Sequence, residues 1–163
     1  MGAVSLQNLS SFTLLESPTK VKNLAENAKK KGYSAIALTD INITYGLVDF
    51  YKAAKDTGIK PLLGMQLRIN GLIDEANKYD LIVIAKDDQG YKNILRLSSA
   101  VNLLTENGEK ENVLTFEDLK KYLGHLILIT PSNLHSELKM LQTNNPKMGA
   151  NYLRKLQDSL PSS

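Results

Sequence analysis

The chain has 163 residues, 42% hydrophobic and 23% charged, with a formal net charge of +3, which describes one globular domain with a core of its own rather than a disordered chain or two comfortable units. The absence of cysteine excludes disulfides, thiolate zinc sites and a cysteine nucleophile. No apolar run approaches the ~18 residues of a membrane span and no basic segment leads into an apolar signal region, so the expected location is the cytoplasm, without membrane contact.

Residues 3–7, AVSLQ, predict a short strand. Ser17-Pro18 then predicts a helix start, with serine as N-cap and proline at the first helical position. Val21, Leu24, Ala25 and Ala28 form one buried stripe, and Gly32 ends the helix. SAIALT (34–39) is the next strand; Leu47, Phe50, Tyr51 and Ala54 mark a second amphipathic helix closed by Gly58. Residues 60–69 predict a third strand, with Asn70-Gly71 as a two-residue hairpin turn. The apolar run in DLIVIAK (80–86) predicts a fourth strand buried on both faces. A helix follows with Tyr91, Ile94, Leu95, Ser98 and Val101 on one side, then a polar loop at 105–112. Thr115 caps a short helix with Asp118 completing a capping box, Gly124 stops it, and LILIT (126–130) is a fifth strand. Pro131-Ser132 precedes a helix aligning Leu134, Leu138 and Leu141, and Asn144-Asn145-Pro146 breaks the chain before a last helix near 148–159. This alternation implies an α/β fold of parallel strands with crossover helices, as an open sheet or part of a β/α barrel.

Few of the polar residues suggest chemistry. Lys29-Lys30-Lys31 offers charge to a phosphate, but it fits the last turn of its helix, where cations offset the carbonyl end of the dipole by roughly 0.3–1 kcal/mol each. His125 falls at the amino end of a strand, the face opposite to chemistry in α/β folds. His135, beside Leu134 on its helix and about 100° from the leucine stripe, faces solvent. Neither a glycine-rich phosphate loop nor a Gly-x-Ser-x-Gly nucleophile occurs. Gly64 marks a bulge or tight packing within the third strand. The carboxylates Glu16, Asp40 and Asp80 are more suggestive, because paired carboxylates run acid–base chemistry or hold magnesium. Asp40 follows a strand whereas Asp80 opens one, so parallel topology does not unite them, and an acid after a strand is also a common cap.

Residues 35–67, AIALTDINITYGLVDFYKAAKDTGIKPLLGMQL, closely resemble the amino-terminal PHP (polymerase and histidinol phosphatase) domain of bacterial DNA polymerase III alpha subunits. There the strand end reads Thr-Asp-His, an aromatic-Gly pair opens a helix ending Phe-Tyr-Lys-Ala-Ala-Lys, and Gly-Ile-Lys-Pro-Ile-Ile-Gly follows. LIVIAKDDQGYKNILRLSS (81–99) resembles the next unit of that domain, and FTLLES (12–17) its Tyr-Ser-Leu-Leu-Asp-Gly segment. The resemblance covers residues 4 to about 140, with 144–163 as a C-terminal helix and tail, and makes 1–163 a single PHP-like domain. It implies a distorted, TIM-like barrel of parallel β/α units. That barrel is incomplete at its C-terminus, because the family's last strands and their Asp-x-His motif find no counterpart; the chain is expected to be a fragment.

Active members of this family bind a cluster of metal ions through histidines and acids at strand ends. The first strand's His-x-His falls on Gln7 and Leu9, and a further histidine on Ser5. The Asp of Leu-Leu-Asp becomes Glu16, the His after Thr-Asp becomes Ile41, a Glu becomes Gln66 beside Met65, and a His falls on Asp80. The family's Ser-x-Cys falls near Thr130-Pro131-Ser132. Leucine and isoleucine bind no metal and glutamine only weakly. The resemblance therefore implies a vestigial site at Ser5, Gln7, Leu9, Glu16, Asp40, Ile41, Gln66 and Asp80, with no catalytic residue, no metal, and Asp40 capping a turn. The expected role is structural support of a replicative polymerase that uses magnesium in a separate palm domain. DNA is reached through that larger protein, and in some relatives a proofreading exonuclease subunit is contacted. The rival is an active metal-dependent phosphoesterase or 3′–5′ exonuclease. A third reading, direct DNA binding, requires the lysines to gather on one face.

Overall fold

The computed structural model describes residues 2–14, 16–103, 114–133 and 135–160. Strands β1 (Val4–Ser5), β2 (Ala35–Leu38), β3 (Lys60–Asn70), β4 (Lys78–Ala85) and β5 (Leu126–Ile129) lie side by side in chain order in one sheet. Around it run helices α1 (Val21–Lys30), α2 (Leu47–Thr57), α3 (Asp88–Leu103), α4 (Phe116–Lys120), α5 (Glu137–Asn144) and α6 (Pro146–Asp158). No helix among the described residues is long and apolar enough to cross a membrane.

The pairings β1–β2 and β2–β3 are parallel, each joined by a crossover helix as the sequence alternation implies. The next two, β3–β4 and β4–β5, are antiparallel, so β4 alone runs against its neighbours and the sheet is mixed. The cause is the link before β4. Only residues 71–77 separate β3 from β4, whereas a parallel return needs a dozen or more. The expected two-residue turn at Asn70-Gly71 is likewise replaced by a longer loop. Asn70 pairs with Lys78, and Gly71 N–H closes the loop on the Asn77 carbonyl at 3.0 Å.

Strand alternation gives the sheet two apolar faces. Ile36, Leu38, Met65, Leu67, Leu81 and Val83 point to the helices and join Ala25, Phe50, Ile94 and Leu97 in the main core. Ala37, Ile82 and Ile84, with Leu62 and Ile129, form the smaller inner cluster. At Gly64 the strands approach so closely that a Cβ would stand 2.6 Å from the Val83 carbonyl oxygen and 3.0 Å from Thr39 Cγ2. This glycine serves tight packing, not a bulge.

The helices depart from expectation mainly at their ends. α1 begins at Val21 with Lys20 as N-cap and no side-chain cap. Ser17 instead donates to the Leu9 carbonyl at 3.0 Å and accepts from Thr19 N–H, closing the preceding loop. Ala25 and Ala28 are buried as expected, and Gly32 and Gly58 take φ of 76° and 69° past the ends of α1 and α2. Tyr51 and Leu95, placed on buried stripes by their spacing, are 44% and 37% exposed at the stripe margins. Thr115 caps α4 by accepting from Asp118 N–H at 3.1 Å, and its hydroxyl donates to the Asp118 carboxylate. α6 starts at Pro146, two residues early, capped by Asn145 accepting from Lys147 N–H. The polar loop 105–112 and Leu134 lie outside the described residues.

Candidate functional site

Because β4 is reversed, its amino end meets the carboxyl ends of β2 and β3 on one rim of the sheet. This overturns the separation of Asp80 from Asp40 expected for parallel strands. Gln66 joins them: its N–H donates to the Asp40 carbonyl at 3.1 Å, and its side chain reaches Asp80.

Asp40 is 2% exposed. Its Oδ1 accepts from Ser10 N–H and Thr13 Oγ1, and its Oδ2 from Ser10 Oγ, each at 2.7 Å. Thr13 Oγ1 in turn accepts from Ile41 N–H at 3.1 Å. Three short bonds satisfy the buried carboxyl oxygens, and they make Asp40 the cap of the 10–13 turn.

A second network crosses the rim. Gln7 Nε2 donates to Gln66 Oε1 at 2.9 Å, and Gln66 Nε2 donates to Asp80 Oδ2 at 2.9 Å. Arg68 Nε donates to Asp80 Oδ1 at 3.1 Å, with the aspartate side chain 1% and the arginine 36% exposed. Asp80 N–H is taken by the His135 carbonyl at 2.8 Å. Every buried side-chain nitrogen and oxygen among the described residues has a partner.

Gln7, Asp40, Ile41, Gln66 and Asp80 are thus brought together, Ile41 through a parallel bridge to Gln66. Ser5 and Leu9 are engaged elsewhere: Ser5 Oγ donates to Asn8 Oδ1 and the Leu9 carbonyl accepts from Ser17. Glu16 is exposed outside both networks. Pro131 is buried beyond β5, while Ser132 is exposed. Among the described residues no three His, Cys, Asp or Glu side chains converge as a cation site.

The histidines lie elsewhere. His125, at the amino end of β5 as expected, adopts φ 63° and places Nδ1 2.7 Å from Asp87 Oδ2. The Gly90 N–H and then His125 hold the Asp87 carboxyl below its ordinary value. His135 is exposed as expected, but it precedes α5 rather than lying within a helix; Ser136 is that helix's N-cap. Lys29 and Lys30 occupy the last turn of α1, as their position implied.

Sequence reasoning missed Arg68, Ser10, Thr13 and Glu137. Arg68 shares the inner face with Gln66 two residues before it, a period-two signal readable only once the register to β4 is known. Glu137, first residue of α5 and 3% exposed, accepts from the N–H groups of Leu72, Ile73 and Asp74 at 2.7, 2.7 and 2.9 Å. Beside that clamp, Tyr79 donates to Asp74 Oδ2 at 2.6 Å. The Tyr79 hydroxyl and then Asn77 hold the Asp74 carboxyl low, while burial and then Asp74 push the Tyr79 phenol up. An unforeseen cavity of about 660 Å³ opens along the sheet, with Leu6, Leu62, Ile84, Ile127 and Ile129 in its apolar lining.

Residues 5–163 match the family model of the PHP domain. The chain belongs to the PHP domain family. This PHP domain matches the N-terminal region of DNA polymerase III alpha subunits. It is 33% identical to that of Halalkalibacterium halodurans over 160 residues, covering 98% of this chain and 14% of the relative. The Bacillus subtilis protein is 36% identical over 131 residues, covering 80% and 11%, and the Aquifex aeolicus protein 30% over 161, covering 90% and 14%. The PHP domain here therefore spans only 11% to 14% of these relatives' length. A solved structure from Bifidobacterium adolescentis, assigned as a metal-dependent phosphoesterase, superposes with a TM-score of 0.50 at 19% identity, covering 61% of this chain and 32% of that one. That likeness concerns the fold: a curled α/β half-barrel of the PHP, TIM-like type.

Proposed function

We propose that this PHP domain is a structural module of a DNA polymerase III alpha-type protein, stabilising the polymerase body in replication and catalysing nothing at its own rim. One observation carries the reading: the hydrogen-bonded run Gln7–Gln66–Asp80–Arg68, buried at Gln66 and Asp80, in which an arginine supplies the positive charge beside Asp80. A divalent cation there would have to displace Arg68 from Asp80 and three donors from Asp40. Gln66 offers an uncharged amide, and Leu9 and Ile41 offer no lone pair. This donor set does not fit a multinuclear metal centre, so we read Ser5, Gln7, Leu9, Glu16, Asp40, Ile41, Gln66 and Asp80 as vestigial positions and assign no cofactor to this domain.

The partners that follow are the rest of the alpha subunit and, through it, DNA, in the cytoplasm. Contact with a proofreading exonuclease subunit is a further part of the proposal. The test is elemental analysis of the purified chain after incubation with zinc, manganese and magnesium, beside hydrolysis of a phosphodiester and of a 3′-labelled oligonucleotide. The expected result is folded protein without stoichiometric metal or hydrolysis, and no incorporation in primer extension. Near-stoichiometric zinc or manganese with turnover would replace this reading by the phosphoesterase or exonuclease one.

A further inference from the structure

The rim occupies one end of the sheet; the opposite end carries a different feature. α1 and α2 each follow a strand of the parallel set, so both helices finish at the strands' amino ends. Their ends meet. A Cβ on Gly58, past the end of α2, would lie 3.9 Å from Lys29 Nζ of α1, and Lys60 N–H donates to the Ser34 carbonyl just beyond α1. Lys29, Lys30, Lys31, Lys55 and Lys60 are gathered there, all exposed. None of the five belongs to an ion pair among the described residues, although lysines elsewhere do, as at Lys120 with Glu117 and Lys121 with Asp118. The acids near them are Asp56 in the last turn of α2 and Glu26 one turn before Lys29 and Lys30 in α1, and neither forms an ion pair with the five among the described residues. Across the neighbouring cavity lie Lys86, Asp87 and Asp88, and Asp87 is engaged by His125 and Gly90. The chain's net charge is only +3, so this end holds a concentrated excess that the overall balance conceals.

The helix dipoles account for Lys29, Lys30 and Lys55, which stand in the last turns of their helices. They do not account for Lys60 in a strand, nor for five neighbouring cations with so little acid between them. Tyr51 adds an exposed ring, with Lys55 Nζ 5.5 Å from its centroid.

We propose that the joined ends of α1 and α2 bind the phosphodiester backbone of DNA directly, without sequence preference. Lys29, Lys30, Lys31, Lys55 and Lys60 supply the phosphate contacts. The occupant is argued from charge complementarity: flexible ammonium groups on an open surface suit a polyanion with regularly spaced phosphates, and binding releases the counterions condensed on it. The proposal does not rest on the rim or its metal status.

The experiment is fluorescence anisotropy of the whole chain with a labelled single-stranded oligonucleotide and a labelled duplex, between about 50 and 200 mM salt. A patch variant (Lys29→Gln, Lys30→Gln, Lys55→Gln, Lys60→Gln) is compared with one losing the same charge elsewhere (Lys120→Gln, Lys121→Gln, Lys139→Gln, Lys147→Gln). The wild type is expected to bind with affinity falling steeply with salt. The patch variant should lower the log–log salt slope by about 3 to 4, at roughly one per lost phosphate contact, and the other set should leave it nearly unchanged. Should the four-fold patch variant fail to fold, Lys31→Gln with Lys60→Gln, both outside the helices, should lower the slope by about 2. Equal weakening by both four-fold sets, no binding at the lowest salt, or equally tight binding of polyglutamate would each overturn the assignment.

Discussion

Arg68 stands directly across the β3–β4 ladder from Asp80, and its Nε donates to Asp80 Oδ1 at 3.1 Å. The dependence is unequal, since the aspartate side chain is 1% exposed and the arginine 36%. Replacing Arg68 by methionine leaves a buried carboxylate short of its charged partner, at an expected cost of about 1–3 kcal/mol. Adding Asp80→Asn removes the stranded charge and should recover part of that loss. Urea unfolding of the single and double variants checks this; a double variant no more stable than R68M would defeat it.

Asp40 is the knot of the 8–19 loop. Asp40→Ala leaves Ser10 N–H, Ser10 Oγ and Thr13 Oγ1 without their acceptor in a buried place, a loss of about 3 kcal/mol by the usual penalty for unsatisfied groups. Hydrogen exchange at residues 8–19 should rise with it. Wild-type protection there in D40A would show that the loop is held by something else.

Gly64 allows no side chain. Its Cβ would press on the Val83 carbonyl, a backbone atom that cannot step aside. Gly64→Ala should destabilise by about 1–3 kcal/mol, the scale of overpacking. Gly32→Ala provides a contrast, because a Cβ there meets nothing within 4 Å and the strain comes from φ 76° alone. A thermal melt of each separates steric pressure from backbone strain; an unchanged midpoint for G64A would contradict the close approach.

Stability should be flat over roughly pH 5 to 9 and fall on both sides. Asp74, Asp87 and Asp118 are held below the ordinary 3.8, by Tyr79, by the Gly90 N–H and by Lys121 respectively as the leading causes. The folded state binds those protons less readily, so their contribution is present above about 3.8 and is lost as pH drops through the folded values. Tyr79 and Tyr152 are pushed above the ordinary 10.0, chiefly by burial. Their contribution is complete below that value and lost as pH rises past it. Urea midpoints across pH for the wild type and Y79F give the check: the variant should lose less stability on both the acid and the alkaline side. A decline already under way at neutral pH would refute this window.

Glu137 ties the last two described helices to the rim. Glu137→Gln keeps one carbonyl for the three N–H groups of residues 72–74 and should loosen loop 71–77 together with α5. Amide exchange in both segments should rise in parallel. Exchange rising in the loop alone would mean that α5 is held independently, for instance by its packing on α6.

The elements were legible because their patterns are local: the stripe Val21–Ala28, the glycines after α1 and α2, and the Thr115–Asp118 cap all act within a few residues. The direction of β4 was less so. Asn70-Gly71 pointed to a hairpin, but the unbroken apolar run of 81–85 argued for a strand of the parallel set, and the conflict was settled by a link too short to cross over. The rim was half legible. Family resemblance marked Gln66 and Asp80, but it could not mark Arg68, because none of the motifs that carry the resemblance places an arginine there. Glu137 was invisible for a simpler reason: its partners lie 63 to 65 positions away, and nothing local links a helix-opening glutamate to a distant loop.

The reversal of β4 also binds two positions into a single heritable unit. Facing residues of an antiparallel ladder sit about 5 Å apart, so positions 68 and 80 share one small enclosure whose charge must balance. Among descendants of this chain, a neutral residue at 68 should travel with a neutral residue at 80, whatever becomes of the rest of the rim.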